Sequence, residues 1–240
     1  MSTIALKLQQ VHADIARACA AADRSVSAVT LLCVSKTQPA QAVRDAYAAG
    51  ERSFGENYVQ EGVDKIATLA DLRSHITWHL IGPLQSNKTR VVAEHFDWVH
   101  SVDRLKIAQR LSEQRPEHLP PLQICLQVNI SAEASKSGLM PDELPDVARA
   151  VSQLPHLQLR GLMAIPEPAE SEAEQRAPHA ALRELFHALN QTGLGLDTLS
   201  MGMTADLNAA ILEGATVVRV GTAIFGARSQ VQLNQVQQQG

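Results

Sequence analysis

Short apolar runs alternate with amphipathic segments along nearly the whole chain, and this alternation restricts the available folds more than any other feature. Strand candidates fall at 29–34, 52–55, 77–82, 98–102, 122–130, 159–165, 198–203 and 217–220. The first, Val29-Thr30-Leu31-Leu32-Cys33-Val34, is rich in β-branched residues and too short for a helix, as expected of a strand buried on both faces of a parallel sheet. Segments with helical periodicity, such as 105–111, 144–154 and 180–189, separate the strands. Eight such units within 240 residues favour one α/β domain, a closed (β/α)8 TIM barrel, over an open doubly wound sheet.

Ile4, Leu8, Val11, Ile15 and Ala18 recur at helical spacing, so residues 3–22 are expected to form an amphipathic leading helix. The barrel with this helix should span 1–228, and the Gln- and Asn-rich stretch 229–240 reads as a flexible tail. Pro39 near its start and Gly50 at its end frame the helix after the first strand. The acidic, proline-flanked segment 167–178 reads as a mobile surface loop.

Chemistry collects where the strands end, which in such a barrel is one face. Lys36 follows the first strand in Val34-Ser35-Lys36-Thr37. A lysine buried there would have its pKa lowered, and a neutral amine can attack an aldehyde to form a Schiff base. A lysine that merely marks the strand's exit into solvent is the plainer alternative. Asn57 follows the second strand, His79 lies in the third, Asn129 late in the fifth and Met163 in the sixth. Ser200, Gly202 and Thr204 close the seventh strand, and Gly221 and Thr222 the eighth. These two groups supply hydroxyls and approachable backbone N–H groups, the makings of a phosphate cradle at the strand ends where barrels often bind phosphate. Arg219 interrupts Val217-Val218-Arg219-Val220, where an inward guanidinium needs an acceptor, either a core carboxylate or a bound ligand.

Several classes are disfavoured. A net charge of −4 and an aromatic content of 3% speak against nucleic acid as partner. Cys19, Cys33 and Cys125 have no metal-like spacing, and an odd count suits no disulfide framework. His75 and His79 lack a third ligand for zinc. Residues 1–19 carry Lys7, His12, Asp14 and Arg17, so neither a signal peptide nor a membrane span is expected, and a reducing cytoplasm is.

A strand-end lysine, a phosphate cradle and a buried arginine together suggest pyridoxal 5′-phosphate. The chain also resembles the pyridoxal phosphate homeostasis proteins, which share the barrel of the alanine racemase N-terminal domain. The resemblance rests on Leu32-Cys33-Val34-Ser35-Lys36-Thr37, on Phe54-Gly55-Glu56-Asn57-Tyr58-Val59-Gln60-Glu61 and on residues 78–88. It continues through Gln127-Val128-Asn129-Ile130, Lys136-Ser137-Gly138, residues 161–165, residues 199–206 and residues 218–226. It implies that Lys36 is the Schiff-base lysine and that Arg219 faces the pyridine nitrogen. Ser200, Gly202, Thr204, Gly221 and Thr222 would surround the phosphate, with Asn57 and Met163 lining the ring. Thr204 departs from the serine more usual in the family but keeps the hydroxyl.

By the same resemblance the protein would bind the cofactor and buffer or deliver it to apo-enzymes, as a cytoplasmic monomer without substantial catalysis. An arginine at the pyridine nitrogen donates, so the nitrogen stays unprotonated and the ring is a poorer electron sink. The rival reading is an amino-acid racemase. Racemases of this type use a tyrosine from an added carboxyl-terminal domain, which is not expected here, leaving Tyr58 as the candidate base. A barrel for an unrelated phosphorylated metabolite leaves Lys36 unexplained. Lys136, in the polar loop after the fifth strand, is expected to assist exchange of the ligand rather than its holding.

Overall fold

The computed structural model describes residues 2–131 and 137–226. The expected tail, 229–240, and Lys136 lie outside the described residues. Among those described, eight strands form a closed parallel barrel in sequence order: β1 Thr30–Val34, β2 Ser53–Glu56, β3 Thr77–Leu80, β4 Trp98–Val102, β5 Leu122–Gln127, β6 Leu157–Met163, β7 Thr198–Ser200 and β8 Val217–Val220. Closure is made by β1 against β8, with Thr30 opposite Val217 and Cys33 opposite Val220. A closed sheet leaves no strand edge to protect, so the (β/α)8 reading holds in full.

The helices are α1 Thr3–Ala21, α2 Ala40–Ala48, α3 Val59–Thr68, α4 Thr89–His95, α5 Leu105–Gln114, α6 Leu144–Ser152, α7 Glu172–Gln191, α8 Leu207–Leu212 and α9 Thr222–Phe225. The leading helix α1 buries Leu8, Val11, Ile15 and Ala18, the stripe that its periodicity predicts. Its start is fixed by Ser2, whose side chain accepts from the Ala5 N–H. After α2 the chain turns at Gly50, with φ of 114°, a left-handed conformation that glycine adopts without strain.

One expectation is corrected. Residues 172–178 of the segment 167–178 are not a loop but the first two turns of α7, which begins at Glu172 and carries Pro178 inside it. A capping box starts the helix there: Ser171 accepts from the Glu174 N–H and the Glu174 carboxylate accepts in return from the Ser171 N–H. The acidic residues that suggested a solvated loop are in place to favour a helix N-terminus.

Side chains alternate between two environments along each strand. The outward set packs with the helices in one large core that includes Phe54, Trp78, Val99, Ile124 and Leu162. Leu32, Val34, Ile81 and Val217 form a separate small cluster, which is the filling of the barrel itself. Among the described residues no helix is long and apolar enough to cross a membrane.

Candidate ligand site at the barrel mouth

The register decides which expected residues share the lumen. Leu32 pairs with Arg219 across β1 and β8, and partners in a ladder face the same side. Arg219 therefore points inward beside the Leu32–Val34 cluster, and Lys36, two residues past Val34, leaves β1 on that same face. Lys36 is half-buried at the mouth.

Arg219 is 3% exposed. Its Nη1 donates to Ser200 Oγ at 2.9 Å and its Nη2 to the Ala164 carbonyl at 2.9 Å. Burial lowers its pKa to about 10, with Asp206 acting from a distance in the opposite sense, so the guanidinium stays charged at neutral pH. The core carboxylate that would make this a simple ion pair is not among its hydrogen-bond partners; they are a hydroxyl and a carbonyl. A buried cation held only by neutral acceptors is suited to a further acceptor on a ligand.

Behind Arg219 runs a chain of buried polar groups. Ser200 Oγ lies 2.8 Å from His100 Nδ1, and His100 Nε2 lies 2.9 Å from His79 Nδ1. His79 also stacks on Trp98, with ring centroids 5.4 Å apart. Burial pushes the His79 pKa down to about 3 and holds His100 well below the usual imidazole range, so both rings are neutral. The Ser200 hydroxyl thus serves Arg219 and His100 within the lumen. His100 was not singled out from the sequence, although the period of two in Trp98-Val99-His100 places it inward.

The residues expected to cradle a phosphate lie at and after the ends of β7 and β8. Gly202 has φ of 89°, and a Cβ there would lie 2.4 Å from that of Ala210, so this turn admits only glycine. Its carbonyl accepts the Arg219 N–H at 2.9 Å, tying the two strand ends together. Asp206 fixes the rest of the turn, accepting from the Met203 N–H at 2.7 Å and meeting the buried His179 Nε2 at 2.9 Å. Thr204 is exposed beside it. Gly221 leads into α9, where the Ile224 and Phe225 N–H groups both return to the Gly221 carbonyl and Thr222 opens the first turn. The Thr222 and Ala223 N–H groups, ahead of that bonded pair, have no acceptor within so short a helix and are the ones available to an anion.

On the other side of the mouth lies a pocket of about 220 Å³ whose lining includes Asn57, Ile81, Gly82, Asn129, Ile130 and Ile165. Asn57 Oδ1 is buried without a hydrogen-bond partner. Gly82 permits this arrangement, since a Cβ there would sit 2.1 Å from the Asn57 carbonyl oxygen. Met163 is fully buried at the end of β6, in register with Ser200. A larger hollow of about 430 Å³ includes Gln109, Glu113 and His156 in its lining. It lies by the end of α5 and the entry to β6, the barrel end where residues serve stability, so the mouth is the functional candidate. The buried Cys125 thiol is pushed up to about 12, and Cys33 is likewise raised, so neither is a ready nucleophile. Among the described residues no three His, Cys, Asp or Glu side chains are grouped to hold a metal ion.

The mouth thus has a charged donor in the lumen, glycine turns at two strand ends, an unpaired amide oxygen and a lysine at the rim. A (β/α)8 barrel with this equipment at its carboxyl-terminal face is of the alanine racemase N-terminal type, and the model of the family "Alanine racemase, N-terminal domain" matches residues 6–229. Within that class, the Pseudomonas aeruginosa pyridoxal phosphate homeostasis protein is 66% identical over 228 residues, covering 95% of this chain and 97% of its own. The Escherichia coli K12 protein of the same name is 53% identical, over 95% of this chain and 98% of its own. PipY of Synechococcus elongatus, solved with PLP bound, superposes with a TM-score of 0.81 at 42% identity, covering 93% of this chain and 100% of its own. The chain belongs to the pyridoxal phosphate homeostasis protein family.

Proposed function

We propose that the protein binds pyridoxal 5′-phosphate as a Schiff base on Lys36 and acts as a cytoplasmic, monomeric carrier that buffers the ligand and delivers it to apo-enzymes. The observation that carries this reading is Arg219, a buried cation with neutral partners, facing inward opposite Leu32 on the strand that leads to Lys36. The PLP-bound state of PipY and the names of the relatives support it. In this reading Lys36 Nζ holds the aldehyde carbon, while Gly202, Thr204, Gly221 and Thr222, with Ser200 behind them, receive the phosphate. Asn57 and Met163 flank the ring, and Lys136 assists exchange.

When bound, the ligand supplies an electrophilic carbon and an electron-withdrawing ring. Arg219 limits the second property: a guanidinium only donates, so a ring nitrogen opposite it accepts and stays unprotonated. The site then favours holding over carbanion chemistry. A racemase would need a positioned base, and Tyr58, exposed at the head of α3, is the candidate it would have to use.

Loaded protein mixed with an apo-enzyme should restore that enzyme's activity. The same protein incubated with L-amino acids in deuterium oxide should show α-proton exchange far below ordinary enzyme rates. Rapid exchange with loss of chirality, abolished in Tyr58→Phe, would overturn the carrier reading.

A further inference from the structure

Lys36 is gripped from behind by a buried cluster that plays no part in the lumen. Lys65, on the inner side of α3, is 6% exposed. It donates all three ammonium protons, to the Ser35 carbonyl at 2.6 Å, to Glu56 Oε1 at 2.8 Å and to Glu61 Oε1 at 2.7 Å. Ser35 Oγ also donates to Glu56 Oε1 at 2.6 Å, and the Ser35 N–H continues the ladder to the Gly55 carbonyl. On the other side of Lys36, the Thr37 N–H donates to Glu61 Oε1 at 2.5 Å. The residues before and after the lysine are thus both tied to one ammonium–carboxylate cluster.

Thr37 shows what this grip does. Its φ is 62°, a left-handed backbone that a β-branched residue rarely adopts and that persists only where the surroundings impose it. Glu61 supplies the acceptor for its N–H in that conformation, and Lys65 fixes Glu61 in turn. An ion cluster this deeply buried is not an economical way to stabilise a barrel, because desolvation offsets much of its Coulomb attraction. It is a good way to hold one peptide in one orientation.

We propose that Lys65 and Glu61, with Glu56 on the same ammonium, are positioning residues that set the peptide carrying Lys36 and so aim its amine into the lumen. The proposal rests on the reading of Lys36 as the ligand-bearing lysine but concerns the reactivity of its amine, which can be measured without the ligand. The groups facing Glu56 in this cluster are Ser35, just past β1, and Lys65 and Glu61 from α3.

Reductive methylation with formaldehyde and cyanoborohydride, resolved by peptide mass spectrometry, reads each lysine separately. The exposed Lys88 and Lys106 serve as internal standards. Glu61→Ala is the first variant, because the Glu61 side chain is 22% exposed and its loss leaves the Lys65–Glu56 pair intact. It should change the reactivity of Lys36 relative to the standards, and its pH profile, by about tenfold, the scale on which small misplacements of a reacting group act. Glu61→Gln, which can still accept from Thr37, should restore most of the native profile. Lys65→Met should reproduce Glu61→Ala if it folds.

A cluster that only stabilises the barrel would lower the melting temperature in Glu61→Ala and leave the Lys36 profile untouched; that result overturns the proposal. Lys36 reactivity that depends on Glu61 in a protein that takes up no pyridoxal phosphate would instead uphold the positioning role and sink the ligand assignment.

Discussion

His79 and His100 are sealed in the lumen as neutral rings, while Glu56, behind β2, is pushed by burial up to about 7 despite the opposing pull of Lys65. These shifts act on stability in opposite directions. A histidine whose folded pKa is depressed contributes stability that is present above its unfolded value near 6.5 and lost as the pH falls. A glutamate whose folded pKa is raised contributes stability that is present below its unfolded value near 4.5 and lost as the pH rises through 7. Between about pH 5 and 6.5 the two histidines outweigh the one carboxyl, so acid weakens the fold. Glu56→Gln removes the opposing group. Its stability should fall more steeply with acid in that window, by about 1.4 kcal/mol more per pH unit, measured by urea unfolding at fixed ionic strength. Equal slopes would show that Glu56 does not titrate there. At this scale the sequence was legible where a charge breaks an apolar pattern, as Lys36 and Arg219 do. It was silent on Lys65 and His100, since nothing local distinguishes a surface lysine on a helix from one that also reaches a carbonyl 30 residues back in the chain.

At the scale of elements, α7 shows how a cap decides where helix begins. Proline and acidic residues in 167–178 read as loop signals one by one, yet Ser171 and Glu174 in capping-box spacing override them. Pro178 loses one backbone hydrogen bond, and the helix runs on because Leu182, Phe186 and Leu189 are buried beyond it. Ser171→Ala should therefore cost about 1 kcal/mol. It should appear as a lower urea midpoint with an unchanged slope. The strands were more legible than this helix because each is a short apolar run bounded by polar turns. Their ends were less so: β7 stops at Ser200, three residues before the expected boundary, because Gly202 turns the chain at a positive φ to meet Arg219.

For the whole molecule, barrel closure turns eight separate strand ends into one site. Lys36, Asn57, Met163, Gly202 and Gly221 come from five different units and converge only because β8 registers against β1. Sequence order and spacing foretold that convergence. What they could not foretell is depth: Ser200 lies at the level of Arg219 and His100, while Thr204 and Thr222 stand at the rim. One covalent attachment, at Lys36, would make this site a carrier of pyridoxal 5′-phosphate. Protein purified in the presence of pyridoxal 5′-phosphate, reduced with borohydride, digested and mapped by mass spectrometry should carry the reduced adduct on the peptide containing Lys36, with Lys36→Ala losing it. An adduct found mainly on another lysine of the native protein would contradict the assignment of this site.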